Sequence, residues 1–92
     1  MKFEIVDLTA DADISFYGYI SIKTQQYIKM GPKDVGVILG KHRHHIKGIF
    51  CYGGIINPNW SGYLTVELYS TIPVSIKKGE EVAHALIFRD VG

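Results

Sequence analysis

Gly54-Ile55-Ile56-Asn57-Pro58-Asn59-Trp60-Ser61-Gly62-Tyr63-Leu64-Thr65-Val66-Glu67-Leu68 is a tight turn feeding an alternating strand. Leu64, Val66 and Leu68 fall on one face, and Tyr63, Thr65, Glu67 and Tyr69 on the other, the period-two pattern of a strand with one face in a core. A single carboxylate, Glu67, stands on the polar side. The alternation recurs outward in both directions. Residues 14 to 22 set Ile14, Phe16, Gly18, Ile20 and Ile22 against Ser15, Tyr17, Tyr19 and Ser21. Shorter strands are expected at Lys2 to Val6, Gln26 to Met30, Val35 to Leu39, His45 to Tyr52, Val74 to Ile76 and Val82 to Phe88. Gly31-Pro32, Gly40, Gly53-Gly54, Asn57-Pro58, Pro73 and Lys78-Gly79 punctuate them, and the prolines fall at expected turns or strand starts. No helical period is present. Many short strands separated by Gly and Pro predict an all-β sandwich or barrel, and the unbroken pattern predicts one domain over residues 1–92.

Ninety-two residues enclose a small core, so stability needs a supplement. The one cysteine, Cys51, forms no internal disulfide and reads as a buried thiol in the apolar run Phe50-Cys51-Tyr52. Several strands carry apolar residues on both faces, as in Val82, Leu86 and Phe88 against Ala83, Ala85 and Ile87. A barrel buries one face of each strand, so the second face predicts a symmetric homo-oligomer. The net charge of +1 argues against nucleic-acid binding, sequence-specific binding included. No apolar run approaches a membrane span and the first residues lack a signal-peptide pattern, so a soluble cytoplasmic protein is expected. Charge is nonetheless uneven. Glu4, Asp7, Asp11 and Asp13 make the first segment acidic, and Lys41, Arg43 and Lys47 interleave with His42, His44 and His45 in a run suited to a solvated loop or to phosphates.

The opening stretch resembles the third motif of the trimeric dUTPase and dCTP deaminase superfamily: Gly-Val-Ile-Asp, two variable residues, an aromatic, one variable residue and Gly. Asn57-Pro58 with Trp60-Ser61-Gly62 is more similar to the deaminase branch. Asp11-Ala12-Asp13-Ile14 resembles the first motif, and Gly48-Ile49 keeps the family distance to Asn57. Lys78-Gly79-Glu80-Glu81-Val82-Ala83-His84-Ala85-Leu86-Ile87-Phe88 looks like the fourth motif. The resemblance implies a jelly-roll-like β barrel assembled as a homotrimer, with nucleotide sites between subunits. It also implies that the main chain of Gly53, Gly54 and Ile55 meets a pyrimidine edge and that Trp60 lies against a deoxyribose. His84, at the place of the fourth motif's Gln, would donate to phosphate, and Lys41 or Arg43 would meet phosphates.

The departures bear on chemistry. Asn57 stands where dUTPases carry the aspartate that activates water, and an amide lacks the basicity for that task. Gly40-Lys41-His42-Arg43-His44-His45-Ile46-Lys47 replaces the Arg-Ser second motif, and the deaminase Arg and Ser fall near Ile46 and His42. The Gly-rich carboxy-terminal motif has no counterpart. Glu67, in contrast, matches the glutamate that deaminases use as general base. His42 and His44 would share one face of a strand and invite a metal reading with His84 or a carboxylate, but Arg43 and Lys47 disfavour a cation, so no metal is expected apart from Mg²⁺ arriving with a nucleoside triphosphate. Three functions follow: a degenerate trimer that holds a deoxynucleotide or another phosphorylated ligand without efficient catalysis, a dCTP deaminase-type enzyme centred on Glu67, and a structural or regulatory scaffold.

Overall fold

A strand with alternating faces must lay its apolar side on a second layer, and the computed structural model resolves this chain into two such layers. It describes residues 2–91; Met1 and Gly92, at the ends of the expected 1–92 domain, and the Ile46 side chain lie outside the described residues. The strands are β1 (Lys2–Thr9), β2 (Ile14–Lys29), β3 (Val35–Leu39), β4 (Ile49–Tyr52), β5 (Gly54–Ile56), β6 (Ser61–Ile76) and β7 (Glu81–Arg89), with a short helix α1 (His42–Ile46) between β3 and β4. One sheet runs β1-β7-β3-β5 and the other β2-β6-β4. Every pairing is antiparallel. This is the expected all-β, jelly-roll-like architecture.

The predicted faces hold. Ile22, Leu64, Val66 and Leu68 of one sheet meet Leu8, Val82, Ala83, Ala85 and Ile87 of the other in a single core. Two polar side chains enter it with partners. Thr24 Oγ1 donates to the Leu64 carbonyl at 2.8 Å, and Ser70 Oγ donates to the Ile72 carbonyl at 2.7 Å.

Several boundaries differ from the sequence expectation: β1 runs on past Val6 to Thr9, and Gly54–Ile56, read as part of a tight turn, forms the separate strand β5. The segments expected at 14 to 22 and 26 to 30 are one strand, β2, and those at 63 to 71 and 74 to 76 are one strand, β6. Bulges hide this continuity. Thr24, Gln25 and Gln26 face Leu64 alone, and Thr71, Ile72 and Pro73 face Tyr17 alone. Gly18, at φ +80°, takes the turn of the latter. Pro73 therefore lies inside a strand rather than at its start, in a bulge and beyond Ile49↔Ser70, the last rung of β4 on β6, where its missing N–H breaks no ladder. Finally, the strand expected from His45 begins only at Ile49, because His44 N and His45 N donate to the Lys41 carbonyl and close a helical turn. One turn is too short to display a 3.6-residue period. No helix among the described residues is long and apolar enough to cross a membrane.

Two turns join the layers. Ala10 bridges to Thr24, its N–H donates to the Glu80 carbonyl, and Asp13 accepts from Lys78 N at 2.7 Å. At the other end, Asp34 holds the turn after β2. Its carboxylate accepts from Gly31 N, Asp90 N and Arg89, and the same turn receives Asn59 N on the Gly31 carbonyl while Met30 N donates to the Trp60 carbonyl. The turn from β5 to β6 is thereby fixed to the end of β7.

Candidate functional site

The turn that opens the sequence argument crosses from β5 in one sheet to β6 in the other and builds a cleft. Asn57 to Trp60 form its tip, with Trp60 N donating to the Asn57 carbonyl and Asn59 at φ 67°. Gly62, at φ +147°, leaves room for Trp60, since a Cβ there would come within 3.3 Å of the indole. Between β5, the edge of its sheet, and β6 lies a cavity of about 320 Å³ lined by Ile38, Ile55, Ile56, Asn57, Trp60, Tyr63, Leu64 and Thr65. Apolar walls with an amide and a hydroxyl at the rim suit a flat heterocycle with a hydrogen-bonding edge. Gly53 and Gly54 lead into it: Gly54 pairs with Ile38, and a Cβ on Gly53 would come within 2.9 Å of the Ile38 carbonyl.

Lys41, Arg43 and His84 gather separately. His84 is half-buried on the outer face of its sheet, between Asp7 of β1 and Leu39 of β3. Lys41 Nζ lies 2.7 Å from Glu81 and 3.3 Å from Asp7, and Arg43 lies 3.7 Å from Glu81. Burial opposes the Lys41 charge, but hydrogen bonds to Glu81 and Asp7 outweigh it and hold the ammonium above the ordinary lysine value. Lys41 is thus neutralised within its own chain. Arg43 remains largely open to solvent, with 65% of its side chain exposed.

Glu67 sits on the outer face of β6, two residues beyond Thr65, with Ser21 and Tyr52 as its cross-strand neighbours. It does not line the cleft, although the same face carries it. Desolvation raises the Tyr19 hydroxyl above its usual value, helped by the charge and hydrogen bonding of Glu67 and then by Tyr52. Tyr19 and Tyr52 rings lie 6.1 Å apart beside it. Burial, then Glu67, pushes the Cys51 thiol up, which disfavours a thiolate nucleophile there.

The helical turn removes the geometry of the metal reading. Two residues apart on a helix, His42 and His44 diverge instead of sharing a strand face. No cluster of three or more His, Cys, Asp or Glu among the described residues is arranged for a metal ion. Burial, then Arg43, Lys47 and Lys41, pushes His44 below the usual imidazole value, and its Nδ1 has no hydrogen-bond partner among the described residues.

Sequence reasoning named Ile55, Asn57 and Trp60 of the cleft and missed Ile38, Ile56, Tyr63, Leu64 and Thr65. Tyr63 and Thr65 were accessible as the polar-face positions between Trp60 and Glu67. Ile38 depends on the β3–β5 pairing, which no local pattern announces.

Comparison with known proteins agrees with this geometry. The family model described as dUTPase matches residues 4–92. A dCTP deaminase from Nautilia profundicola is 30% identical over 74 residues, covering 79% of this chain and 39% of the relative. A dCTP deaminase from Neisseria meningitidis serogroup C is 34% identical over 68 residues, covering 72% and 36%. The chain thus matches less than two fifths of the length of these relatives. Among solved structures, the EIAV dUTPase superimposes with a TM-score of 0.78 at 23% identity, covering 94% of this chain and 75% of the other. A mutant dUTPase from phage phi11 of S. aureus, described with a structural Mg(II) ion, gives 0.81 at 11% identity, covering 97% and 91%. The matched residues take in both the cleft between β5 and β6 and the basic cluster, and the chain belongs to the dUTPase and dCTP deaminase superfamily.

Proposed function

We propose that this chain is a cytoplasmic, degenerate dUTPase/dCTP deaminase-like homotrimer that holds a deoxynucleotide at its subunit interfaces without efficient catalysis. The observation that carries the reading is Asn57 in the cleft: the wall for a base is present, and the water-activating carboxylate is an amide. Two exposed apolar faces on opposite sides of the sandwich support the trimer. One holds Tyr17, Tyr19, Tyr69 and Phe50, the other Phe3, Ile5 and Ile55. Unlike patches that meet head to tail close into a ring. A triphosphate would bring Mg²⁺ with it.

The second reading is dCTP deamination by Glu67, and the deaminase relatives together with the placement of Glu67 on the Thr65 face favour it. Thermal unfolding with millimolar dCTP or dUTP separates the readings from a scaffold, since ligand at about a hundred times its dissociation constant adds about 2.7 kcal/mol per site. The proposed function expects a rise in melting temperature, no pyrophosphate released from dUTP, and no dUTP formed from dCTP. Deamination lost in Glu67→Gln promotes the enzyme. No shift with any deoxynucleotide leaves the scaffold.

A further inference from the structure

We infer that Lys23 is the counter-charge, within the same chain, for a phosphate on the ligand of the cleft. The inference rests on the deoxynucleotide reading above and adds a binding residue to it. Lys23 pairs across the sheet with Thr65, and Thr65 and Tyr63 form the outer lip of the cavity. The Lys23 ammonium is 5.3 Å from the centroid of the Tyr63 ring, and Tyr27 meets that ring edge-on at 5.4 Å.

The electrostatic surroundings single this residue out. Lys41 and Arg43 contact Glu81, and Arg89 contacts Glu4 and Asp34, whereas Lys23 has no ion pair among the described residues. Along the same face, Glu67 stands opposite Ser21, the next outward residue of β2. A ring attracts an ammonium without consuming its N–H donors, so Tyr63 orders the lysine while leaving three donors for an anion. The bulge at Thr24–Gln26 follows directly and fixes where β2 presents Lys23 to β6. A base between the apolar walls would direct its 5′ substituent past Tyr63 and Thr65 toward this charge. The ligand class is therefore a flat base bearing at least one phosphate, and the first phosphate needs no second subunit.

The test is titration calorimetry of the assembled wild type, Lys23→Met and Lys23→Arg with deoxycytidine and with deoxycytidine 5′-monophosphate. The side chain is exposed, so folding is expected to survive, and circular dichroism checks it. The monophosphate should bind Lys23→Met about tenfold more weakly, the size expected for one lost charge-assisted hydrogen bond. Lys23→Arg should retain binding and the nucleoside should not distinguish the proteins. Equal monophosphate affinity for wild type and Lys23→Met overturns the role of Lys23 and leaves the nucleotide reading standing. Absence of binding to wild type by every nucleotide overturns both.

Discussion

Replacing Thr24 by Val tests the bulge that shapes the cleft. The side chain is 1% exposed, and its Oγ1 donates 2.8 Å to the carbonyl of Leu64, itself a wall of the cavity. Valine keeps the branched shape, so packing is retained and the lost hydrogen bond is isolated. Leaving a buried acceptor without its donor costs about 1–3 kcal/mol, and the added methyl returns about 0.8 kcal/mol of apolar burial. The net expectation is a loss of about 0.2–2 kcal/mol. For a domain of this size that lowers the melting temperature by about 1–16 °C. Urea unfolding of wild type, Thr24→Val and Thr24→Ser at one protein concentration, with the slopes compared, reads the difference. Thr24→Ser keeps the donor, so protection of the bulge amides from hydrogen exchange should fall in the valine protein and persist in the serine protein. A valine protein as stable as wild type would show that the Leu64 carbonyl is satisfied some other way, and the argument for a fixed bulge would fail.

Hydrogen bonds from the Gly31 and Asp90 amides and from Arg89 hold the Asp34 carboxyl below the usual carboxylate range. A depressed folded value means that its stabilisation is complete above the unfolded value near 4 and is lost as pH falls through the folded one; melting curves from pH 7 to pH 2 should show an acid limb that Asp34→Asn flattens, and an unchanged limb refutes the assignment. Tyr69 lies on the exposed aromatic face of β6, and Tyr69→Asp should convert the proposed trimer to monomers in light scattering while the β-sheet dichroism persists; a variant that stays trimeric excludes that face from the contact.

Much of this was readable from the chain. Leu64, Val66 and Leu68 face inward and Tyr63, Thr65, Glu67 and Tyr69 outward as the alternation requires, because a side-chain period of two leaves no other choice once one face is buried. The lengths of β2 and β6 were not readable, since a bulge interrupts the alternation without ending the strand. Nor was α1, whose single turn is made of polar residues between two sheets. For the site, Gly54 to Gly62 announced the turn into β6, but the neutralisation of Lys41 depends on Asp7 and Glu81, 34 and 40 positions away, and only the tertiary fold joins them. Lys23 escaped notice for the same reason: it becomes relevant through its rung with Thr65.

The pairing of β1 with β7 has a kinetic consequence. Its rungs run from Lys2↔Arg89 to Thr9↔Glu81, so even the nearest partners are separated by most of the chain. During synthesis, β1 must wait until β7 has left the ribosome before it can dock, with Leu8, fully buried in the folded chain, exposed meanwhile. Closure of such long loops is slow, and waiting strands are where nascent chains aggregate. Because β1 is an edge strand whose neighbour among the described residues is β7, the four-stranded sheet cannot close until β7 has been made, and β1 stays unpaired until then.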